Sequence, residues 1–534
     1  MRPVATAPDV NPSIVTAMRE PSVYPGSPES VELVETHISW VFLAGDRAYK
    51  VRKPVTMPFL DYSSLSARQQ MAHEELRLGR RLAPDVYIGV RPLFASASGI
   101  SFERNGEPIE YAVEMRRFEE ERTLDAHLRS GEVEPDLVRS LGARIAAFHI
   151  AEDPLSGPWT PEDVARAVED NFATLLAMNP DPVLERRRHA GHRFAVAFLD
   201  HRRDLLAARA RDSVRDGHGD LRAEHVIIGE DIQIFDPVEF SPHLRQIDVS
   251  ADLAFLVMDF ERHGRRDLAA ELLAGYRQAG GDPGDDALVY FYAAYRAWVR
   301  AKVEWLRACQ GGSGSSHLTQ VNLLAELAGR LAWRARFPVA LVICGPAASG
   351  KTWLAESLTG GDGLTHLNSD VVRKEMLGLA ADQTAPLDAY TEGWNRRTYS
   401  ELGRRAGAAV SAGGGVVVDA TFRFEADRRI FAAAFGRAQQ PVFVECRTPA
   451  AVQAERAESR AGAIGQASDA DAAIALKQNV EFEALDEIPA RHHVILRTDR
   501  PVASVADDLE AALDERLLAP VAGARSPTSQ RACG

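Results

Sequence analysis

Lysine, cysteine and long apolar runs are all scarce in this chain of 534 residues. The four cysteines are scattered and form no C-x-x-C pair, so we expect a reducing, cytoplasmic compartment. No apolar run approaches the roughly 20 residues of a membrane span, and we expect no membrane partner. A formal net charge of −14 makes nucleic acid an improbable partner, although one local basic groove could still exist.

The distribution of proline, glycine and periodic apolar residues predicts a multidomain α/β protein. Strands and helices alternate beyond residue 338, which is typical of a parallel sheet built from βαβ units. Before the Gly/Ser-rich stretch at 311–316, a hairpin around Gly45 opens a mixed lobe that is followed by mostly helical sequence. We expect five segments: a disordered arm over 1–30, a first domain over 31–309, a linker and connecting helix over 310–337, a second domain over 338–515 and a flexible tail over 516–534.

One of only six lysines, against 56 arginines, completes the phosphate-loop motif G-x-x-x-x-G-K-[ST]. An apolar strand, Val339 to Cys344, leads into the motif and a helical run from Trp353 leads out of it. In such a loop backbone N–H groups surround the phosphates, Lys351 reaches the β- and γ-phosphates, and Thr352 ligates Mg²⁺. The sequence therefore predicts that ATP and Mg²⁺ bind at Gly345, Pro346, Ala347, Ala348, Ser349, Gly350, Lys351 and Thr352.

A carboxylate and an arginine follow the next short strand. Asp370 at that strand's end would face the γ-phosphate and could accept the proton of an attacking hydroxyl. Arg373 lies one helical turn further on the same face, where it could hold the acceptor. The alternative interpretation is that Ser369 or Asp370 only caps the helix.

Two further elements of a phosphoryl-transfer site follow in order. Asp419 ends the strand Val416 to Val418, where a ligand of Mg²⁺ or its water is expected beside a phosphate loop. Arg456 and Arg460 lie four residues apart on one helix face, as expected for a lid that closes over a triphosphate. Alone, each feature would also suit a turn or a solvated helix face.

This order of motifs (phosphate loop, D-x-x-R, strand-end Asp, R-x-x-x-R) resembles a branch of the P-loop kinases. That branch contains polynucleotide 5′-kinases, zeta-toxin-like kinases and small-metabolite kinases, and the resemblance covers about 338–515. It implies that Asp370 is the catalytic base, that Arg373 contacts the acceptor and that Arg456 and Arg460 form the lid. The acceptor itself stays open, because the branch phosphorylates very different hydroxyls.

The first domain carries a second set of candidate residues. Asp220 in His218-Gly219-Asp220, then His225 and Asp236, follow the spacing that protein-kinase-type phosphotransferases use for a catalytic Asp and two metal ligands. Lys50 shares a strand face with Ala48, while Lys53 falls on the opposite face. Glu75 lies on the apolar stripe of a helix, unlike Glu74, so we expect a buried pair between Lys50 and Glu75.

These residues resemble the aminoglycoside phosphotransferase-like kinases over about 31–309, which implies a protein-kinase-like α+β bilobal domain. The whole chain resembles a bacterial two-domain family that joins such a domain to a P-loop kinase, with its likeness in Tyr49 to Pro54, Arg80 to Pro84 and Phe235 to Phe240. The resemblance implies Asp220 as catalytic base, Asp236 as metal ligand and Lys50 as phosphate contact. The sequence departs from the phosphotransferases at His225, because their second metal position is an asparagine, and no clear Gly-rich loop precedes Lys50. The first domain is thus expected to be a second kinase or a pseudokinase.

Three functions remain open on the sequence alone. The leading one is an ATP- and Mg²⁺-dependent kinase acting on a hydroxyl of a small metabolite. A regulatory nucleotide-binding protein would need Lys351, Thr352 and Asp419 but no Asp370. A nucleic-acid end kinase would need a local basic groove, for which the candidates are Arg373, Arg396, Arg397 and Arg404. Neither the acceptor nor the oligomeric state can be inferred from the sequence.

Overall fold

The computed structural model describes residues 12–57, 60–96, 99–176, 181–309, 314–359, 364–380, 382–436, 439–460 and 472–517. The chain forms two compact units, one of Met1–Val164 with Leu206–Asp285 and one of Ala165–Leu205 with Asp286–Gly534. Within the described ranges, no helix is both long and apolar enough to cross a bilayer.

The strands are β1 (Val31–Glu35), β2 (Ser39–Ala44), β3 (Arg47–Arg52), β4 (Thr56–Met57), β5 (Leu60–Asp61), β6 (Tyr87–Ser96), β7 (Gly99–Ser101), β8 (Pro108–Arg116), β9 (Val214–Asp216), β10 (Val226–Ile227), β11 (Gln233–Ile234), β12 (Gln246–Asp248), β13 (Val339–Cys344), β14 (Leu364–Asn368), β15 (Gly415–Asp419), β16 (Val442–Arg447) and β17 (His493–Arg497).

The helices are α1 (Pro12–Ala17), α2 (Leu65–Gly79), α3 (Leu124–Ser130), α4 (Pro135–Ala151), α5 (Pro161–Leu176), α6 (Pro182–His201), α7 (Arg203–Asp212), α8 (Pro242–Arg245), α9 (Val249–Arg262), α10 (Arg266–Gln278), α11 (Asp286–Cys309), α12 (Gly314–Arg334), α13 (Lys351–Thr359), α14 (Ser369–Met376), α15 (Glu392–Ser411), α16 (Glu425–Ala432), α17 (Ala450–Arg460), α18 (Ala472–Glu481) and α19 (Val502–Leu517).

The first unit contains an antiparallel sheet of order β1-β2-β3-β8-β6-β7. β2 and β3 form the predicted hairpin around Gly45, whose φ of 62° lies in the left-handed region that glycine enters without strain. Side chains alternate between the two faces of the sheet, and Ala48 packs in the core cluster that contains Ala72 of α2. Lys50 shares that face, so the alternation directs it toward α2.

Residues 12–30 differ from the disordered arm that the sequence predicts. They contain α1 and a 3-10 turn at Pro21–Val23, and both Met18 and Tyr24 are buried. These two side chains pack in the cluster of Phe42 and Val51, on the sheet face opposite α2. The prolines of the arm did not prevent order, because the sheet has an apolar face that this segment covers. Residues 1–11 lie outside the described ranges.

The second unit contains a parallel sheet of order β14-β15-β13-β16-β17, which confirms the predicted P-loop α/β fold. Its central strand β13 is buried along its whole length. One core cluster joins the sheet to α13 and α19, and a second joins it to α14, α15 and α16. The parallel strands all end at one edge, where the loops to α13, α14 and α16 begin.

Helices that precede the Gly/Ser stretch in sequence also pack into the second unit. α12 contacts α11 and α6, and α6 contacts α19. Arg336, just after α12, forms a buried ion pair with Asp514 of α19, with a distance of 2.5 Å from Nη2 to Oδ1. The compact units therefore follow tertiary contacts and do not coincide with the predicted boundary near residue 310, whose residues 310–313 are not described.

Candidate active sites

The phosphate loop joins β13 to α13 at the carboxyl edge of the parallel sheet. Gly345 has a φ of 138°, and a Cβ there would lie 2.7 Å from the carbonyl oxygen of Cys446, so only glycine fits this approach. Gly350 has a φ of 91° and immediately precedes α13. Lys351 folds back over the loop, and its Nζ donates to the carbonyl oxygen of Pro346 at 2.7 Å.

Two threonines that the sequence interpretation missed form hydrogen bonds to the backbone of this loop. Thr498 Oγ1 and Thr448 Oγ1 both donate to the carbonyl oxygen of Ser349, at 2.5 and 3.2 Å. A third missed residue is Gln478 of α18, whose Oε1 accepts from the backbone N–H of Ala347 at 2.8 Å. Thr448 and Thr498 follow the ends of β16 and β17, and Gln478 lies on a helix distant in sequence. No local sequence motif therefore distinguishes these three residues.

Asp370 and Arg373 lie one turn apart on α14, as the sequence predicts, and their side chains form an ion pair that it did not predict, with 2.9 Å between Asp370 Oδ1 and Arg373 Nη1. Arg373 also donates to Asn395 Oδ1 at 2.9 Å and stacks over the ring of Tyr390. The alternative of Ser369 or Asp370 as the helix cap is wrong. Asn368 caps α14, because its Oδ1 accepts from the backbone N–H groups of Asp370 and Val371.

Asp419 lies at the end of β15, opposite Asn368 in the register with β14. Its side chain is 2% exposed. Oδ2 accepts from Asn368 Nδ2 at 2.9 Å and lies 4.0 Å from His366 Nε2. The carboxylate of Asp419 at the end of β15 and the hydroxyl of Thr352 in the first turn of α13 are both hard oxygen donors, which suit Mg²⁺. The cradle of backbone at Gly345 and Gly350 likewise suits a phosphate chain, so the residues fit the implied ATP and Mg²⁺.

Arg456 of α17 points at the phosphate loop. Its Nη2 donates to the carbonyl oxygen of Thr498 at 2.8 Å, and a Cβ at Gly350 would lie 3.3 Å from its Nη1. That Nη1 is buried and lacks a hydrogen-bond partner among the described residues. Arg460 ends the same helix, and its side chain lies outside the described part of the structure.

In the first unit, the predicted pair between Lys50 and Glu75 forms, with 3.0 Å from Nζ to Oε1. Lys50 Nζ also lies 2.5 Å from Asp236 Oδ1. Burial by itself would lower the pKa of Lys50, but the carboxylates of Asp236 and Glu75 outweigh burial and hold that pKa well above its ordinary value. Arg52, which the sequence interpretation missed, joins Glu75 to Glu239.

The loop of His218 and Asp220 is held by a carboxylate on α9. Asp252 accepts from the backbone N–H groups of His218 and Gly219, at 2.7 and 2.9 Å, and lies 3.1 Å from His149 Nε2. Burial raises the pKa of Asp252, but the contact with His149 reverses this and leaves it at about 2. These two hydrogen bonds from the backbone to Asp252 fix the loop that carries Asp220.

His225 lies between Asp220 and Asp236. Its Nδ1 is 2.9 Å from the carbonyl oxygen of Asp220, while its Nε2 is 3.6 Å from Asp236 Oδ2 and 3.6 Å from Glu224 Oε1. Burial would raise the pKa of Asp236, but Lys50 and His225 hold it well below its ordinary value. Within the described ranges, no group of three or more His, Cys, Asp or Glu side chains is arranged to hold a metal ion.

The fold and the two sites define a protein of two units, one with an antiparallel sheet that carries the pair of Lys50 and Glu75, and one with a phosphate loop at the edge of a parallel sheet. Residues 341–485 match the family model described as an AAA domain. A solved gluconokinase from Sinorhizobium meliloti 1021 is 22% identical, covering 34% of this chain and 95% of its own, with a TM-score of 0.26. A choline/ethanolamine kinase family protein from Mesorhizobium loti is 13% identical, covering 60% and 94%, with a TM-score of 0.39.

A relative covers both units. Uncharacterized protein Rv2004c of Mycobacterium tuberculosis is 30% identical over 464 residues, which are 84% of this chain and 90% of the relative. The chain belongs to the family of this mycobacterial protein, and its match to the AAA domain includes the phosphate loop.

Proposed function

We propose that the second unit transfers the γ-phosphoryl group of ATP to a hydroxyl of a small metabolite. The observation that carries this proposal is the meeting of three groups at one sheet edge: the phosphate loop, the carboxylate of Asp419 and the pair of Asp370 with Arg373. A nucleotide switch would need the first two groups only. The added carboxylate and arginine are what an acceptor hydroxyl requires.

ATP supplies the phosphoryl group and Mg²⁺ neutralises its charge when both are bound. Lys351 and the loop N–H groups hold the phosphates, while Thr352 and Asp419 supply oxygen ligands to the metal. In the transfer the acceptor oxygen forms a bond to the γ-phosphorus, the bond from that phosphorus to the leaving ADP oxygen breaks, and Asp370 takes the hydroxyl proton. Arg456 neutralises charge on the phosphates, with Arg460 as a second lid arginine.

For the first unit, two observations favour a kinase-like domain without transferase activity. Lys50 Nζ contacts Asp236 Oδ1 directly at 2.5 Å, and the imidazole of His225 stands where the second oxygen ligand is expected. Magnesium prefers oxygen ligands, so this unit is expected to bind Mg²⁺ poorly. It would then select the substrate or a partner of the second unit.

The alternative function of a nucleic-acid end kinase is less well supported, because most arginines of the expected basic groove are paired with carboxylates. Arg396 pairs with Glu392, Arg404 pairs with Glu401, and Arg373 pairs with Asp370. These ion pairs compensate the charge of three of the four candidate arginines, while Arg397 lies over the ring of Trp394. A salt titration of oligonucleotide binding with a slope near zero would remove this alternative.

The test uses a fluorescent ATP analogue and two variants. Lys351→Ala is expected to weaken analogue binding at least about tenfold, because the loop loses its phosphate-contacting cation. Asp370→Asn is expected to leave binding intact while acceptor-dependent ATP consumption falls about 10²-fold or more. Lys477→Ala, which removes an exposed lysine, is the matched control. Unchanged ATP consumption in Asp370→Asn would mean that the unit is not a kinase of this type.

A further inference from the structure

The phosphate loop contains one residue in a strained backbone conformation. Ala348 has a φ of 61°, in the left-handed region that a residue with a Cβ enters only at a cost in free energy. Glycine takes this conformation freely, but the sequence has alanine at this position. Strained backbone persists where the surrounding contacts fix it, which is common at active sites. Contacts from outside the loop must therefore hold Ala348 in place.

The peptide that precedes Ala348 is fixed at both of its polar atoms. The carbonyl oxygen of Pro346 accepts a hydrogen bond from Lys351 Nζ at 2.7 Å. The N–H of Ala347, which belongs to the same peptide unit, donates to Gln478 Oε1 at 2.8 Å. Because a peptide unit is planar, these two hydrogen bonds together fix its orientation and keep its carbonyl directed at Lys351.

The backbone that follows Ala348 is fixed as well. The carbonyl oxygen of Ser349 accepts hydrogen bonds from Thr498 Oγ1 at 2.5 Å and from Thr448 Oγ1 at 3.2 Å. These two threonines follow strands of the parallel sheet, whereas Gln478 belongs to α18. Ala348 thus lies between two anchors, and Gln478 holds its N-terminal side.

The turn of α18 that carries Gln478 is itself held by neighbouring segments. Asn479 Nδ2 donates a hydrogen bond to Gln453 Oε1 of α17. Later in the same turn, Glu481 forms an ion pair with Arg423, with 2.7 Å from Oε2 to Nη1. Gln478 therefore reaches the phosphate loop from a helix whose position other contacts already set.

We infer that Gln478 is a positioning residue for the triphosphate. Its hydrogen bond holds the peptide between Pro346 and Ala347 in the orientation that directs the carbonyl at Lys351. Without this bond, Ala348 relaxes toward a less strained conformation, and Lys351 loses the carbonyl that orients its ammonium group. Phosphate binding must then restore the loop, and the cost of doing so lowers the affinity. This inference rests on the nucleotide binding of the proposed function, and it does not depend on the acceptor.

The test measures binding of a fluorescent ATP analogue to the full-length chain. Gln478→Ala is expected to weaken binding about fivefold, because one neutral hydrogen bond that preorganises the loop is lost. Gln478→Met keeps the length of the side chain but has no oxygen acceptor, and it is expected to have the same effect. Inorganic tripolyphosphate, used as a competitor, is expected to lose affinity by the same factor, because the loop contacts phosphates and not the base.

A second substitution separates positioning from a general loss of structure. Ala348→Gly removes the strain, so this variant is expected to bind the analogue at least as tightly as the wild type. In the Ala348→Gly background the loop no longer depends on its anchor, and Gln478→Ala is expected to weaken binding less than about twofold. Val480→Ala changes a residue of the same helix that is 89% exposed, and this control is expected to leave binding unchanged.

Two results would overturn the inference: unchanged binding in both Gln478 variants, or an equal loss of affinity from Gln478→Ala with and without Ala348→Gly. The second result would show that Gln478 only supports the fold. If the wild-type chain binds the analogue in a Lys351-dependent manner while the Gln478 variants bind it equally well, the proposed function stands and this inference alone fails. If the wild-type chain does not bind the analogue at all, the proposed function fails, and this inference fails with it.

Discussion

Lys50 and Lys53 lie on one short segment of the first unit but in different electrostatic environments. Lys50 contacts the fully buried Glu75 and the partly exposed Asp236, while Lys53 pairs with the exposed Glu35 and lies over the ring of Trp40. Strand alternation predicts which lysine points toward α2. It does not predict Arg52, whose contact with Glu75 depends on a helix that packs from elsewhere in the sequence.

Lys50→Ala is expected to destabilise the first unit by about 3 kcal/mol, because the buried carboxylate of Glu75 loses a partner. Lys53→Ala, the matched control, should cost less than about 1 kcal/mol, since its ion pair is exposed to solvent. Urea denaturation of both variants, followed by tryptophan fluorescence, measures the difference. Equal losses would show that Lys50 contributes no more than a surface charge.

At the scale of elements, the junction of β14 and α14 shows how one residue can serve two parts of a site. Asn368 caps α14 through its Oδ1 and donates through Nδ2 to Asp419. The sequence indicates a cap near this position, since Asn, Ser and Asp are all good caps. Which of the three caps the helix was decided by β15, because Asp419 orients the Asn368 amide.

Asn368→Ala is expected to lower the free energy of unfolding by about 1 kcal/mol or somewhat more, through loss of the cap and of the contact to Asp419. The rate of phosphoryl transfer should fall as well, because both Asp370 and Asp419 lose their positions. Denaturation and turnover assays measure the two effects. Ser369→Ala is the control, and a loss of the same size there would contradict the assignment of Asn368 as the cap.

At the scale of the whole molecule, the compact units do not follow the order of the sequence. α12 packs against α11 and α6 within the second unit, and its buried residues include Leu324, Leu327 and Leu331. A cut at the Gly/Ser stretch therefore removes helices on which the second unit depends. Burial of each such leucine contributes about 1.5–3 kcal/mol.

A fragment of residues 310–517 is expected to bind a hydrophobic dye and to melt at a lower temperature than the full-length chain. A fragment of residues 286–517, which regains α11, should bind less dye and melt higher. Dye fluorescence and thermal scans compare the two fragments. If the shorter fragment is as stable as the longer one, α11 does not stabilise the second unit.

The sequence alone was sufficient for the features that depend on local pattern. The phosphate loop, the shared helix face of Asp370 and Arg373, the hairpin around Gly45 and the parallel sheet follow from spacing and from apolar periodicity, which act over a few residues. Only the tertiary structure decided the order of residues 12–30 and the hydrogen bonds from Thr448 and Thr498 to Ser349. Each depends on burial by segments far apart in the chain, and burial is a property that no single stretch of sequence contains.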